Sequence, residues 1–150
     1  MKKIIFIAIL CILFTGCNVV TTNYKEGVYE GSAVDNYGGQ TNTATAKVTI
    51  DENGKITNVY LDTTYTKDGV ATTKKTLKDE YGMKKGNSSY GSADYEWYEQ
   101  VEALEQAVLE KQGIDFLNLD EDGYTDAVSK CTIKIDALYK ALEKALNKAK

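Results

Sequence analysis

The 150-residue sequence has no histidine, no arginine and no proline. Without histidine there is no Ser-His-Asp or Cys-His activation of a nucleophile, and no imidazole ligand for a metal. Without arginine all 18 basic residues are lysines, which meet an anion as point charges and not as a bidentate fork. The formal charge is −4, and basic clusters of the kind that follow a phosphate backbone are missing, which argues against nucleic acid as a partner. Cysteine is scarce: Cys11, Cys17 and Cys131. Once a leader carrying Cys11 is removed and Cys17 is modified, no two thiols remain to pair. The fold then has to stand on its core.

What is present is ordinary for a folded chain. At 43% hydrophobic and 27% charged residues, the composition is not that of a disordered protein, and the length suits one domain. Residues 1–17 read as a lipoprotein signal peptide. Lys2 and Lys3 form its charged region, and residues 4–14 are apolar without interruption but too few to span a bilayer comfortably. Thr15 and Gly16 then precede Cys17, a junction that resembles the bacterial lipobox, in which the cysteine is lipidated. Residues 18–25 read as a polar tether and residues 26–150 as the folded domain. The expected location is the outer face of the cell membrane, held by a lipid on Cys17.

The domain opens with strand signals. Residues 28–34 are rich in strand formers. Ala44, Ala46, Val48 and Ile50 alternate with Thr45, Lys47 and Thr49, the pattern of a half-buried strand. Asn53-Gly54 marks a hairpin turn, and the returning strand carries Ile56 out of phase with Val59 and Leu61, which predicts a bulge. A short helix is expected near residues 73–81. A helix over residues 94–112 is expected to be capped by Asp94, with Tyr98, Val101, Leu104, Ala107 and Val108 on its stripe. Tyr95 and, in its first turn, Trp97 and Tyr98 read as core, with a stacking surface for a flavin or a sugar as the alternative. Residues 118–123 place oxygens as a calcium loop does, but Asn118 and Ser129 break the pattern at its ends, which leaves an acidic turn. The last helix, residues 135–150, shows an apolar stripe of Ile135, Leu138, Tyr139, Leu142, Ala145 and Leu146. These elements predict an α+β fold, an antiparallel sheet packed against two long helices.

Just before that helix stands Asp126-Ala127-Val128-Ser129-Lys130-Cys131-Thr132-Ile133. A Ser and a Thr ahead of a helix serve either to cap it or to join its free N–H groups in holding an anion. The stretch resembles the Asp-x-x-Ser-Gly-Ala-Thr motif of the FMN-binding domain family. That family includes the C subunit of the sodium-pumping NADH:quinone oxidoreductase and FMN-binding lipoproteins of Gram-positive extracellular electron transfer. Lys130 and Cys131 stand where the motif has Gly and Ala. Two further likenesses lie upstream: a glycine- and tyrosine-rich opening before Asn53-Gly54-Lys55-Ile56, and Trp97-Tyr98-Glu99-Gln100.

The resemblance implies an FMN-binding-domain-like fold and an FMN cofactor held at residues 129–132, covalently or not. Thr132 is the implied acceptor of a phosphoester bond, made by a flavin transferase. Ser129 and the backbone of Cys131 and Ile133 are expected to donate to the phosphate, Asp126 to brace the turn, and Lys130 to supply a point charge. Lys130 is also expected to strain a turn that in the family has glycine. Gly82, Met83 and Tyr90 are expected near the ring. The implied role is an electron carrier, not an enzyme with its own substrate, taking electrons from a membrane reductase or quinone-linked donor. The alternative is a structural or ligand-binding lipoprotein that keeps the fold and has lost the cofactor.

Overall fold

The computed structural model describes residues 24–36 and 39–150, so the leader, Cys17 and most of the tether lie outside the described residues. Four antiparallel strands form one sheet in the order β1 (Gly27–Asp35), β2 (Asn42–Ile50), β3 (Ile56–Lys67) and β4 (Val70–Thr73). The alternation in β2 sets the faces: Ala44, Ala46, Val48 and Ile50 are buried, and Thr43, Thr45 and Lys47 face solvent. In register with them, Tyr29, Gly31 and Ala33 of β1 and Val59, Leu61 and Thr63 of β3 complete the core face. The register shifts between Thr49 and Ile50, which pairs with Ile56; this is the expected bulge. Asp51 closes the hairpin by accepting from the N–H groups of Asn53 and Lys55, and Gly54 supplies the positive φ.

The strand β4 is not among the expected elements, although the sequence carries a signal for it. Asp68 and Gly69, both at positive φ, form the tight turn that an Asp-Gly pair favours between strands.

After β4, Thr73 caps the short helix α1 (Lys74–Leu77), which runs into a 3-10 turn, Lys78–Tyr81. Helix α2 (Trp97–Lys111) starts later than expected. Asp94 does not cap it; its carboxylate meets Lys85 at 3.3 Å. The entry is fixed instead by Glu99, whose carboxylate accepts from the Glu96 N–H at 2.8 Å. That bond, aided by Lys84, holds the Glu99 carboxyl below its ordinary pKa. At the other end Gln112, at φ 57°, turns back and bonds both the N–H and the carbonyl of Ile56, tying α2 to the bulged start of β3. Midway, Glu105 accepts from the Leu61 N–H and pairs with Lys75, closing the part of the β3 edge that β4 does not reach.

Helix α3 (Asp136–Lys148) buries Leu138, Ala141, Leu142, Ala145 and Leu146 against β1 and β2. Its closest approach is at Gly31, where an added Cβ would lie 2.0 Å from the Ala141 carbonyl oxygen. Lys144 and Lys148 reach over β1 and donate to the carbonyls of Ser32 and Glu30. The outer edge of the sheet is thereby occupied by lysine side chains from its own helix. At the far end of α3 the Lys25 N–H donates to the Ala149 carbonyl at 2.6 Å, so the chain enters the domain beside the place where the helix ends. Among the described residues no helix is long and apolar enough to cross a membrane.

Candidate functional site

Thr132 lies at the opposite end of α3, in the segment that leads into it. The expected relation between the two needs correction. The helix begins only at Asp136, with Ile135 as its N-cap residue. The Ile135 N–H is taken by the Gly123 carbonyl, and a Cβ on Gly123 would come 2.7 Å from that of Asp136. The start of the helix therefore packs on the Gly123 turn and does not present residues 129–132. No side chain caps the helix, so capping does not describe Ser129 and Thr132.

What holds Thr132 is Gln100, a side chain with no solvent exposure in the first turn of α2. Its Oε1 accepts from the Thr132 N–H at 2.8 Å and from the Thr132 hydroxyl at 3.1 Å. Its Nε2 donates to the Tyr95 carbonyl and lies 3.3 Å from the Met83 sulfur. One amide thus joins α2, the segment before α3 and the loop ahead of α2. That loop is ordered in turn by Glu96. Fully buried, its carboxylate accepts from the N–H groups of Met83 and Lys84 and from the Asn87 amide. The sequence did carry the signal for Gln100. It stands on the same helix face as Trp97, Val101, Leu104 and Val108, a polar residue where an apolar one is expected.

One of the two other backbone donors expected to meet a phosphate is also engaged. The Cys131 N–H donates to the Val128 carbonyl at 2.9 Å, and the Cys131 thiol itself is buried. Burial pushes that thiol up to about 11, and the Ile133 N–H only partly offsets it. Cys131 is a core residue and its thiol stays protonated near neutral pH. Lys130 does not adopt a positive φ, so the expected left-handed strain at this position is not found. Its side chain is exposed and lies 5.5 Å from the centre of the Tyr95 ring.

Thr132 forms part of the wall of two hollows. One, of about 290 Å³, brings Asp126, Ser129 and Cys131 together beside it. The other, of about 190 Å³, is walled on its apolar side by Tyr81, Met83, Trp97 and Leu138, and also by Ile133. Its polar side holds Asp35, Thr63, Lys74 and Lys134. Lys74 was not foreseen. Its side chain is 5% exposed, pairs with Asp35 at 3.2 Å, and points its ammonium at the rings of Trp97 and Tyr81, 5.5 and 5.8 Å from their centres. Of the three residues expected near a ring, Met83 lines this cavity. Gly82 is the left-handed residue that ends the 3-10 turn, and Tyr90 is 92% exposed.

Tested against FMN, these residues fit in two places and fail in one. Thr132 is an exposed residue on the cavity wall, and the cavity offers aromatic faces, a soft thioether and a cation. A backbone cradle for the phosphate is not preformed. Comparison of the chain with protein-family models, with curated proteins and with solved structures finds no match.

Proposed function

We propose that this chain is a lipid-anchored flavoprotein of the outer membrane face, with an FMN-binding-domain-like fold and FMN carried at Thr132. The observation that carries this reading is the position of Thr132. The threonine at the motif's acceptor position has its side chain on the wall of a cavity lined by Trp97, Tyr81, Met83 and Lys74. When bound, FMN would supply the electron-transfer chemistry. The protein's part is attachment and surroundings. Gln100 fixes the Thr132 hydroxyl, the aromatic wall keeps water from one side of a ring, and Lys130 and Lys134 flank the attachment point in sequence. Because the Thr132 and Cys131 N–H groups are already paired, attachment through the hydroxyl is favoured over phosphate binding by the backbone alone. A flavin transferase would be the partner that makes the bond, and a membrane reductase or quinone-linked donor the source of electrons.

The same paired N–H groups support a second reading, a ligand-binding lipoprotein that keeps the fold without flavin. Co-expression with a flavin transferase separates the two. The first reading requires a yellow protein whose mass exceeds that of the polypeptide by one FMN, with the adduct lost in Thr132→Ala. A colourless wild-type protein of unmodified mass, which also takes up no free FMN, leaves the second.

A further inference from the structure

The cavity beside Thr132 contains a cation that is poorly satisfied by the protein alone. Lys74 is buried to within a few per cent, yet among the described residues its ammonium makes one hydrogen bond, to Asp35. Its other close neighbours are two aromatic rings, which attract a cation but accept no ordinary hydrogen bond from it. An ammonium has three N–H donors, and leaving donors unmet in a buried place is costly. A second unmet donor lies close by. Asn42, 5% exposed, pairs in register with Asp35 on the core side of β2, and its amide nitrogen has no partner among the described residues. Lys74, with donors to spare, thus lines a cavity that Trp97, Tyr81 and Met83 also line, and the unmet Asn42 amide stands on the strand position paired with its partner Asp35.

We propose that the Asp35–Lys74 pair is the specificity element of this cavity, receiving the carbonyl-bearing edge of a planar heteroaromatic ring. The aromatic wall takes the face of the ring. Lys74 donates to a carbonyl oxygen at its edge, and Asp35 holds the ammonium in place. A ring without acceptors on that edge leaves the buried donors unmet and binds weakly, because discrimination by unpaired polar groups is stronger than discrimination by shape. This rests on the flavin reading to the extent that the isoalloxazine ring is such a ring.

The test uses Trp97, the chain's single tryptophan, whose fluorescence reports occupancy of the cavity it lines. The protein, lacking its leader, is titrated with lumiflavin, which has the ring but no phosphate, and with FMN. Quenching of Trp97 by both is expected, with lumiflavin at least tenfold weaker toward Asp35→Asn/Lys74→Met, a double variant that leaves no orphan charge. Thermal unfolding and near-ultraviolet circular dichroism establish that the variant is folded. If it does not fold, Lys74→Arg takes its place, with the same loss expected from the altered donor geometry. Wild-type protein that takes up FMN while the folded variant binds lumiflavin equally well overturns the role of the pair and leaves the flavin reading standing. Wild-type protein that takes up neither compound overturns both.

Discussion

The side-chain oxygen of Gln100 accepts two hydrogen bonds from Thr132, one from its backbone N–H and one from its hydroxyl. Gln100→Met keeps the volume and removes the acceptor, leaving a Thr132 N–H without its partner. The expected cost is about 1–3 kcal/mol, measured by denaturant unfolding. Amide exchange at Thr132 should rise by more than the global change accounts for. An unchanged exchange rate would mean that Gln100 does not hold the segment.

Gly31 is required for space and not for backbone freedom. An alanine methyl there would meet the Ala141 carbonyl and the Ala145 nitrogen, backbone atoms that move only if α3 moves. Gly31→Ala is expected to destabilise the fold by more than about 2 kcal/mol. Gly39→Ala would meet nothing within 4 Å but stands at φ 78°, so it measures conformational strain without a clash. Equal losses at the two positions would contradict the close contact.

Burial raises the Cys131 thiol from 9.0 to about 11. A group whose folded pKa is raised contributes stability below its unfolded pKa and loses it as pH rises through the folded value. The window is therefore pH 9 to 11. Across it, wild type should lose roughly 2–3 kcal/mol more than Cys131→Ala, since each pKa unit is worth about 1.4 kcal/mol. The variant absorbs the background from lysines and tyrosines that titrate in the same range. Native protein at pH 7.5 should also react slowly with thiol reagents.

Lys130 stands at a glycine position of the motif, yet its backbone carries no positive φ. Lys130→Gly therefore relieves no strain. It should lower stability by up to about 1 kcal/mol, through the greater freedom of the unfolded chain. Any gain in covalent FMN on co-expression with a flavin transferase would then report access to Thr132 and not a repaired turn. A gain in stability would show that the turn was strained after all.

The core was legible wherever one period ran without interruption. Alternation in β2 named its buried residues, and the stripe of α3 named its buried leucines and Ala145 while leaving out Ala137 and Ala141, because burial on one face is what those periods record. The bulge at Ile50 followed from a single out-of-phase isoleucine. The site was less legible, because its geometry is made by side chains acting far from their own segment. Gln100 acts 32 positions before Thr132, and Lys74 acts 39 after Asp35. No local period encodes such pairs. The start of α3 was legible to within a residue, but not that the segment before it is held by α2 and the Gly123 turn.

Cys17→Ser should move the protein out of the membrane fraction or leave its leader uncleaved. Fractionation followed by mass analysis of the N-terminus checks it, and a processed protein that stays membrane-bound would place the anchor elsewhere.

The bond between Lys25 and Ala149 bears on that anchor in a different way. It fixes the point at which a tether enters the domain, and Thr132 lies beyond the other end of α3. Thirteen helical residues rise about 20 Å. A domain suspended from Cys17 would therefore carry Thr132 about one helix length from its point of attachment. Residues 18–25, fully extended, add at most about 28 Å of slack. A partner exchanging electrons here would meet the cavity in water, within a reach set by one helix and one short leash.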